Sequence, residues 1–486
     1  MNWFRGEHYA LARVVFERAL GVVYLIAFLN AANQFRALLG DRGLLPVRLF
    51  VRGVSFRQSP SLFFFFPHDR AFAVCAWTGV VLSGIVVAGI ADRAGTWAVA
   101  LTWALLWTLY LSFVNVGQTF YSFGWESILL EAGFYAIFLG GRYTDPPVVV
   151  LWLERWLLFR VMFGAGLIKM RGDPCWRDLS CLNYHYETQP MPNPLSWFFH
   201  WGPQWTKSGG VLFNHFAELI VPFGYFFPQP AAAAAGLITI LFQLAIFVSG
   251  NLSWLNFLTM VLAISTLNDA FFETLGLSAA QTQPQPLPYR VMVYVLAAAV
   301  AYMSIQPIRN MISPHQIMNT VYNRLHLVGT YGAFGSITRP RYEVIVEGTD
   351  EAVLLPSTRW REYEFKGKPG ATGRMPPQIA PYHLRLDWLM WFAALSNYSQ
   401  HPWFVSFLGK LLENDRPVLA LLRSNPFPDA PPKFVRAELY EYRFTTPRER
   451  AETGQWWKRE YAGHYFPPVS LSDARFRGLL HRLESY

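Results

Sequence analysis

Long apolar runs fill the first 310 residues, and shorter, alternating ones fill the rest. A helix needs about 17–25 mostly apolar residues to cross a bilayer. Segments 12–30, 71–91, 96–115, 148–169, 209–228, 231–249, 252–268 and 290–307 approach or meet that length. A shorter one, 124–140, carries Glu126 and Glu131. Backbone groups in hydrocarbon must bond within their own segment, so the pattern predicts eight or nine helices. "PQP" at 228–230 reads as the turn of a helical hairpin, and the Pro-rich 279–288 as a polar connector.

After residue 307 the period shortens. "RYEVIVEGTDE", "WREYEFKGKPG" and "FVRAELYEYRFTT" alternate and are bounded by Gly or Pro, the pattern of strands. "YHLRLDWLMWFAAL" and "WFVSFLGKLLEND" have helical spacing but are too short to span. The fold class is therefore a polytopic α-helical membrane bundle of about eight or nine helices followed by a β-rich soluble C-terminal domain. The boundaries fall at 1–310 for the bundle, with an exit loop at 170–208, and at 320–465 for the β-rich domain. A short basic helical tail completes the chain at 466–486.

Composition supports a membrane protein: only 15% of residues are charged and mean hydropathy is positive, against about 25% charged in soluble domains. The net charge of +9 is spread, +3 before residue 308 and +6 after it. Without a basic block, no nucleic acid is expected as a partner; membrane lipid is. The first apolar stretch has no small-residue cleavage site and reads as a retained helix. Loop 31–70 holds Arg36, Arg42, Arg48, Arg52, Arg57 and Arg70, which by charge alone belongs in the cytoplasm. If all four segments between them span, loops 31–70 and 170–208 share one side, and charge leaves the topology open.

Candidate chemistry gathers at 164–194, "GAGLIKMRGDPCWRDLSCLNYHYETQPMPNP". Lys169 ends an apolar helix; desolvated, it is a usable base, and snorkelling to headgroups it is only an interfacial lysine. Cys175 and Cys181 form a stiffening disulfide if the loop faces an oxidising space. His185 and Glu187 have the chemistry of an acid–base pair, or of a hydrogen-bond network holding the loop. Glu126, Glu131, Glu154, Arg155 and Arg160 lie in or near spans and must face the interior and pair, Arg160 with Glu131 or Glu154. His215 and Glu218 share a helix face but lack the further ligands of a metal site. Cys75 is a small buried hydrophobe, no metal is expected, and no nucleotide or hydrolase motif is present.

Several blocks are long and rich in rare residues: "YSFGWESILLEAGF", "RWLLFRVMFGAGLIKMRGDPCWRDLSCLNYHYETQPMPNPLSWFFHWGP", "TYGAFGSITRPRYEVIVEGT", "NPFPDAPPKFVRAELYEYRF" and "GQWWKREYAGHYFPP". With them nearly the whole chain resembles the lipase maturation factor family. That resemblance implies a multi-pass membrane protein helping secreted clients such as dimeric lipases to fold, and the main expectation is a non-enzymatic folding factor with no cofactor. It implies the endoplasmic reticulum membrane in a eukaryote. The arginine- and alanine-rich composition resembles that of high-GC bacteria, where the cytoplasmic membrane takes its place. The cysteine loop and C-terminal domain would then face the exported side. Trp388, Trp391, Phe392, Trp403, Trp456 and Trp457 are the expected client-binding residues, helped by an open sheet edge. "FGAGLIKMRGDPCW" also resembles the helix-end motif of the horizontally transferred transmembrane superfamily, which includes vitamin K-dependent carboxylases. On that likeness Lys169 stands at their base lysine, and the rival reading is a membrane enzyme using Lys169, His185 and Glu187.

Overall fold

The computed structural model describes residues 8–485. Among the described residues, five helices are long and apolar enough to cross a membrane. They are α1 (Ala10–Leu39), α3 (Asp69–Val87), α4 (Thr96–Val116), α8 (Ala231–Ser249) and α10 (Leu287–Met303), the last continuing through a bend to Ile312. A short α2 (Val47–Gly53) lies between the first two. The other expected spans take different forms. Segment 124–140 is the 13-residue α5 (Gly124–Ala136), about 20 Å long at 1.5 Å per residue. Segment 148–169 becomes α6 (Val148–Arg171), long enough but heavily charged. Segment 209–228 is broken: α7 (Gln204–His215) passes into a π-helical turn at Phe216–Ile220. Segment 252–268 yields only α9 (Leu255–Ala263) and a 3₁₀ turn. By length and apolarity, then, the expected eight or nine reduce to five.

The bundle has two ends, each tied by its own polar contacts. At one end, Asp269 caps α1 by accepting from the amides of Ala10 and Leu11 at 2.9 and 2.8 Å, a carboxylate where the helix dipole is positive. Arg13 donates there to the carbonyl of Thr144 at 2.6 Å, and Arg18 pairs with Asp92 at 3.2 Å. At the other end lie Arg36–Asp69, the disulfide loop, and the whole C-terminal region. Loop 31–70 and loop 170–208 therefore share a face: Arg42 reaches Glu413, and Arg324 donates to the carbonyl of Arg57.

The C-terminal sheet has four strands, β1 (Arg341–Thr349), β2 (Arg361–Glu362), β3 (Phe434–Phe444) and β4 (Trp457–Val469), in the order β2-β1-β3-β4, all antiparallel. Strand β1 alternates strongly and is buried along nearly all its length. It pairs with β3 from Arg341 opposite Tyr442 to Thr349 opposite Phe434. Two helices, α11 (Arg385–Ala394) and α12 (Pro402–Leu412), cover the sheet through Met390, Phe404, Phe407 and Leu408. The basic tail is α13 (Ala474–Ser485), whose Phe476 is buried. It begins after β4 ends at Val469, so the expected boundary at 466 falls inside a strand. "WREYEFKGKPG" forms only two-residue strands, because each meets its partner for two positions.

Candidate functional site

Buried charges join the two regions. Glu126, near the start of α5, is fully buried and accepts from Arg385 of α11 at 2.7 Å and from the Tyr110 hydroxyl. The same guanidinium donates to Asn30 Oδ1 at 2.8 Å and to the Phe120 carbonyl at 2.7 Å, and lies 3.5 Å from the Tyr121 ring centre. Gln34 of α1 closes the joint, donating to the His383 carbonyl at 2.7 Å and accepting from the Arg385 amide at 3.1 Å. His383 sits 3.9 Å from Glu126. Burial and then the charge of Arg385 hold its pKa well below the ordinary value, so it stays neutral and makes no ion pair.

A second joint surrounds Glu131. Its carboxylate pairs with Arg160, accepts from Tyr135 at 2.6 Å and from Tyr331 at 2.7 Å. Arg160 also donates to the Gly329 carbonyl at 2.6 Å. Residues 328–331, in the connector to the sheet, are thereby drawn into the bundle. Of the two pairings open to Arg160, the hydrogen-bonded one is Glu131; Glu154 is fully buried, and neither carboxyl oxygen has a hydrogen-bond partner among the described residues. Arg155 donates instead to the carbonyls of Ser265 and Tyr225.

The exit loop makes the third joint. Arg341, at the start of β1, is buried and donates to the carbonyls of Glu187 at 2.9 Å and Pro190 at 3.0 Å, and to Glu343 at 2.6 Å. Lys368 meets the other Glu343 oxygen at 2.9 Å. Trp197 and Trp201 both donate to the Thr445 carbonyl, at 2.8 and 3.0 Å. Cys175 and Cys181 are joined in a disulfide and buried. Beside it, Asp173 receives Arg339 through two 2.8 Å bonds, which hold its carboxyl below the usual carboxylate range.

Lys169 does not reach the headgroups. It is 4% exposed and turned inward. Its ammonium donates to Glu218 at 2.7 Å and Asn214 at 2.8 Å, and lies 4.9 Å from the centre of the Trp176 ring. The π-helical turn carries Glu218; such turns are frequent at functional sites, and here it serves an ion pair. His185 packs edge-on against Phe334 at 5.1 Å, and its pKa falls to about 4 through burial and then the Lys169 charge. Glu187 faces away: it accepts from the Phe444 amide at 2.6 Å, and burial raises its pKa. The three residues of the enzyme reading are thus not assembled around one point. His215 likewise turns from Glu218 to the Trp176 carbonyl at 2.9 Å. Among the described residues, no three His, Cys, Asp or Glu gather as metal ligands.

The expected client-binding aromatics are largely core. Trp388, Trp403, Trp456 and Trp457 are buried, Trp391 is half-buried and donates to the Thr188 carbonyl, and only Phe392 is well exposed, at 39%. Their helical and strand spacing buries the four tryptophans in the interior, so of the six only Phe392 and part of Trp391 offer free surface. The sheet ends at β4, whose outer side pairs with no further strand among the described residues; its register shifts and, near its end, Pro467 and Pro468 are devices that blunt such an edge. What sequence reading missed is the β1–β2 loop, "DEAVLLPST". Val353 is 67% and Leu355 58% exposed. The loop is braced beneath them: Glu351 accepts from Thr358 at 2.9 Å and from the Arg359 amide at 2.8 Å, and the Leu355 amide donates to Thr358 at 2.9 Å. Four apolar residues in a row inside a turn were the available signal.

The fold and its joints define a class: a polytopic membrane protein carrying a sheet domain clasped to one face of its bundle. The family model for the lipase maturation factor transmembrane domain matches residues 11–274, and that for the lipase maturation factor C-terminal domain matches 327–467. Lipase maturation factor 1 of Bos taurus is 43% identical, covering 97% of this chain and 91% of its own length. The Homo sapiens protein of that name is also 43% identical, over 96% of this chain and 89% of its own. Lipase maturation factor 2 of Xenopus laevis is 31% identical over 98% and 84%. No solved structure matches. The chain belongs to the lipase maturation factor family.

Proposed function

We propose that this protein is a membrane folding factor that helps secreted lipases reach their active form. The supporting observation is the match to lipase maturation factors along both regions, at 43% identity over 97% of the chain. The buried Glu126–Arg385 pair, with the hydrogen bonds from Arg160 to Gly329 and from Tyr331 to Glu131, clasps these regions into one unit, as suits a platform that presents a surface to clients. That surface includes the braced apolar tip at Val353, Leu354 and Leu355, because incompletely folded clients expose apolar groups. The ammonium of Lys169 is committed to Glu218 and Asn214, which favours a structural role over that of a base.

We further infer nine crossings, with α5, α6, the broken 204–227 helix and α9 joining the five long helices. Two observations support this. Successive segments connect the two ends of the bundle alternately, and Glu154, Arg155, Arg160 and Lys169 of α6 turn inward, away from lipid. Trp205, Leu212, Phe216, Ile220, Phe223 and Phe227 form an exposed apolar stripe along the broken helix. The face bearing the sheet is the exported one, since a disulfide there requires an oxidising space. The membrane is that of the endoplasmic reticulum in a eukaryotic host and the cytoplasmic membrane in a bacterial one.

The test is rescue of secreted lipase activity, per mass of lipase, in cells lacking their own maturation factor. Wild type should restore it, and Val353→Ser/Leu355→Ser should restore several-fold less at equal expression. Lys169→Met/Glu218→Gln, which removes both charges together, should still rescue. Failure of wild type would refute the maturation role; failure of the charge-free pair alone, with normal expression, would revive the enzyme reading.

A further inference from the structure

One conspicuous feature takes no part in that role: the arginine-rich segment between α1 and α3. It is built, not loose. Ser59 and Ser61 donate to the carbonyls of Asn115 and Ser112, at 2.5 and 2.9 Å, and Asn115 donates back to the Pro60 carbonyl at 2.8 Å. Phe63 is sunk among Phe35, Phe72 and Phe113, with ring centres 4.7 to 6.0 Å away. These anchors fix the segment at the level where α4 ends and α3 begins, which is the edge of the membrane-crossing region.

On that scaffold two kinds of side chain remain outside. Phe56, Phe65 and Phe66 are exposed, and the Phe56 ring lies 5.6 Å from that of Phe65. They lead in the chain to α3, whose outward side exposes Val74, Trp77 and Val81 in turn. Beside them stand Arg48, Arg52 and Arg57, all exposed. Arg48 and Arg52 are four residues apart on α2, and so on one helix face. None of the three guanidinium groups has an acceptor among the described residues. The neighbouring carboxylates are occupied elsewhere: Asp69 by Arg36 and the Asp41 amide, and Asp41 by the Asp69 amide.

We propose that this segment is a binding site for anionic phospholipid headgroups on the face that carries the C-terminal domain. The three arginines take the phosphates, and the three phenylalanines enter the upper acyl region beside α3. Charge complementarity and continuity with the lipid-facing stripe select lipid over a protein partner as occupant. Arginine suits the task because its planar fork meets phosphate oxygens in pairs. The inference does not depend on the client role. It also gives the arginines of this loop work at the membrane surface, beside a disulfide that calls for the exported side.

The experiment uses the purified full-length protein in detergent, titrated with phosphatidylglycerol, phosphatidylcholine or soluble glycerol phosphate. Retained lipid is counted by native mass spectrometry and binding by the rise in melting temperature. Wild type should hold phosphatidylglycerol and neither of the others. Arg48→Gln/Arg52→Gln/Arg57→Gln should weaken that binding about a hundredfold, three charges being lost at a charged surface. Arg93→Gln, an exposed arginine at the opposite end, should leave it unchanged. Equal binding of the two lipids, strong binding of glycerol phosphate alone, or full retention by the triple variant would overturn the proposal. Should the triple variant fold poorly, wild type alone decides. Its phosphatidylglycerol affinity must fall steeply with salt, and a flat salt profile sinks the idea.

Discussion

The two regions of this protein are packed in opposite senses. Apart from the buried Arg341–Glu343–Lys368 cluster at its joint with the exit loop, the sheet domain keeps apolar residues such as Val344, Met390 and Phe404 inside and turns charges such as Arg443 and Glu441 outward. The bundle turns Trp77, Leu101 and Leu241 outward and holds Glu126, Glu131, Glu154 and Arg160 fully inside. Lipid makes the first part of that inversion inexpensive, since an outward leucine loses nothing in hydrocarbon. The second part is costly, because a buried charge must be paired and hydrogen-bonded. Two of the bundle's buried carboxylates, Glu126 and Glu131, meet partners from later in the chain, Arg385 and Tyr331. The difference teaches that the bundle's interior charges act as fasteners for the domain and its connector.

The most damaging way to break this contrast is to remove one side of a fastener. Arg385→Ala leaves Glu126 buried and unpaired and should cost about 3–5 kcal/mol. The protein should lose thermal stability in detergent and become sensitive to proteolysis near 313–340. Adding Glu126→Gln should recover much of the loss, and a double variant no better than the single would show that the pair is not the fastener. Opening the disulfide comes next: Cys175→Ser/Cys181→Ser should cost about 2 kcal/mol for so short a loop. Its melting temperature should fall while lipase rescue per folded molecule stays near wild type.

Acid should loosen the joints outside the membrane more gently. His185, His200 and His326 are each held neutral, with pKa values lowered to about 4, in every case first by burial. An unfolded histidine takes up its proton near pH 6.5, so between about 6.5 and 4 the unfolded chain binds more protons and folding weakens as pH falls. Glu187, whose pKa is raised, acts in the opposite sense. A melting temperature that declines across this window, and declines less in His200→Phe, is expected; a flat profile would mean the joints open before they titrate. The smallest effect belongs to Glu154→Gln. With no hydrogen-bond partner for its carboxyl among the described residues, the amide should be neutral or slightly stabilising, and a large loss would expose a hidden partner.

Much of the architecture was readable from residue pattern, and the reasons for the exceptions are specific. Strand β1 announced itself through "YEVIV", whereas β4 is longer and escaped notice, because Gly463, Pro467 and Pro468 and its many exposed polar positions mark it as loop. Its place at a sheet edge makes those prolines tolerable. Tryptophans 388, 403 and 457 are candidate client contacts by sequence even though such residues are more often core, since their spacing fixes a face but not what covers it. Lys169 had two sequence readings, base and snorkelling lysine, and the structure gives it a third, because its partners Asn214 and Glu218 lie 45 and 49 residues away.

By itself, then, the sequence determined that the chain is a membrane bundle followed by a sheet domain, because apolar length and period are local properties of a segment. It also determined that the bundle's charged residues had to find partners. Only the tertiary structure decided which partners: Glu126 with Arg385, 259 residues apart, and Glu131 with both Arg160 and Tyr331. It alone fixed loops 31–70 and 170–208 on one face and decided that Trp388, Trp403, Trp456 and Trp457 are core. Charge pairing across such separations depends on where the chain returns in space, and no local pattern of side chains encodes that return.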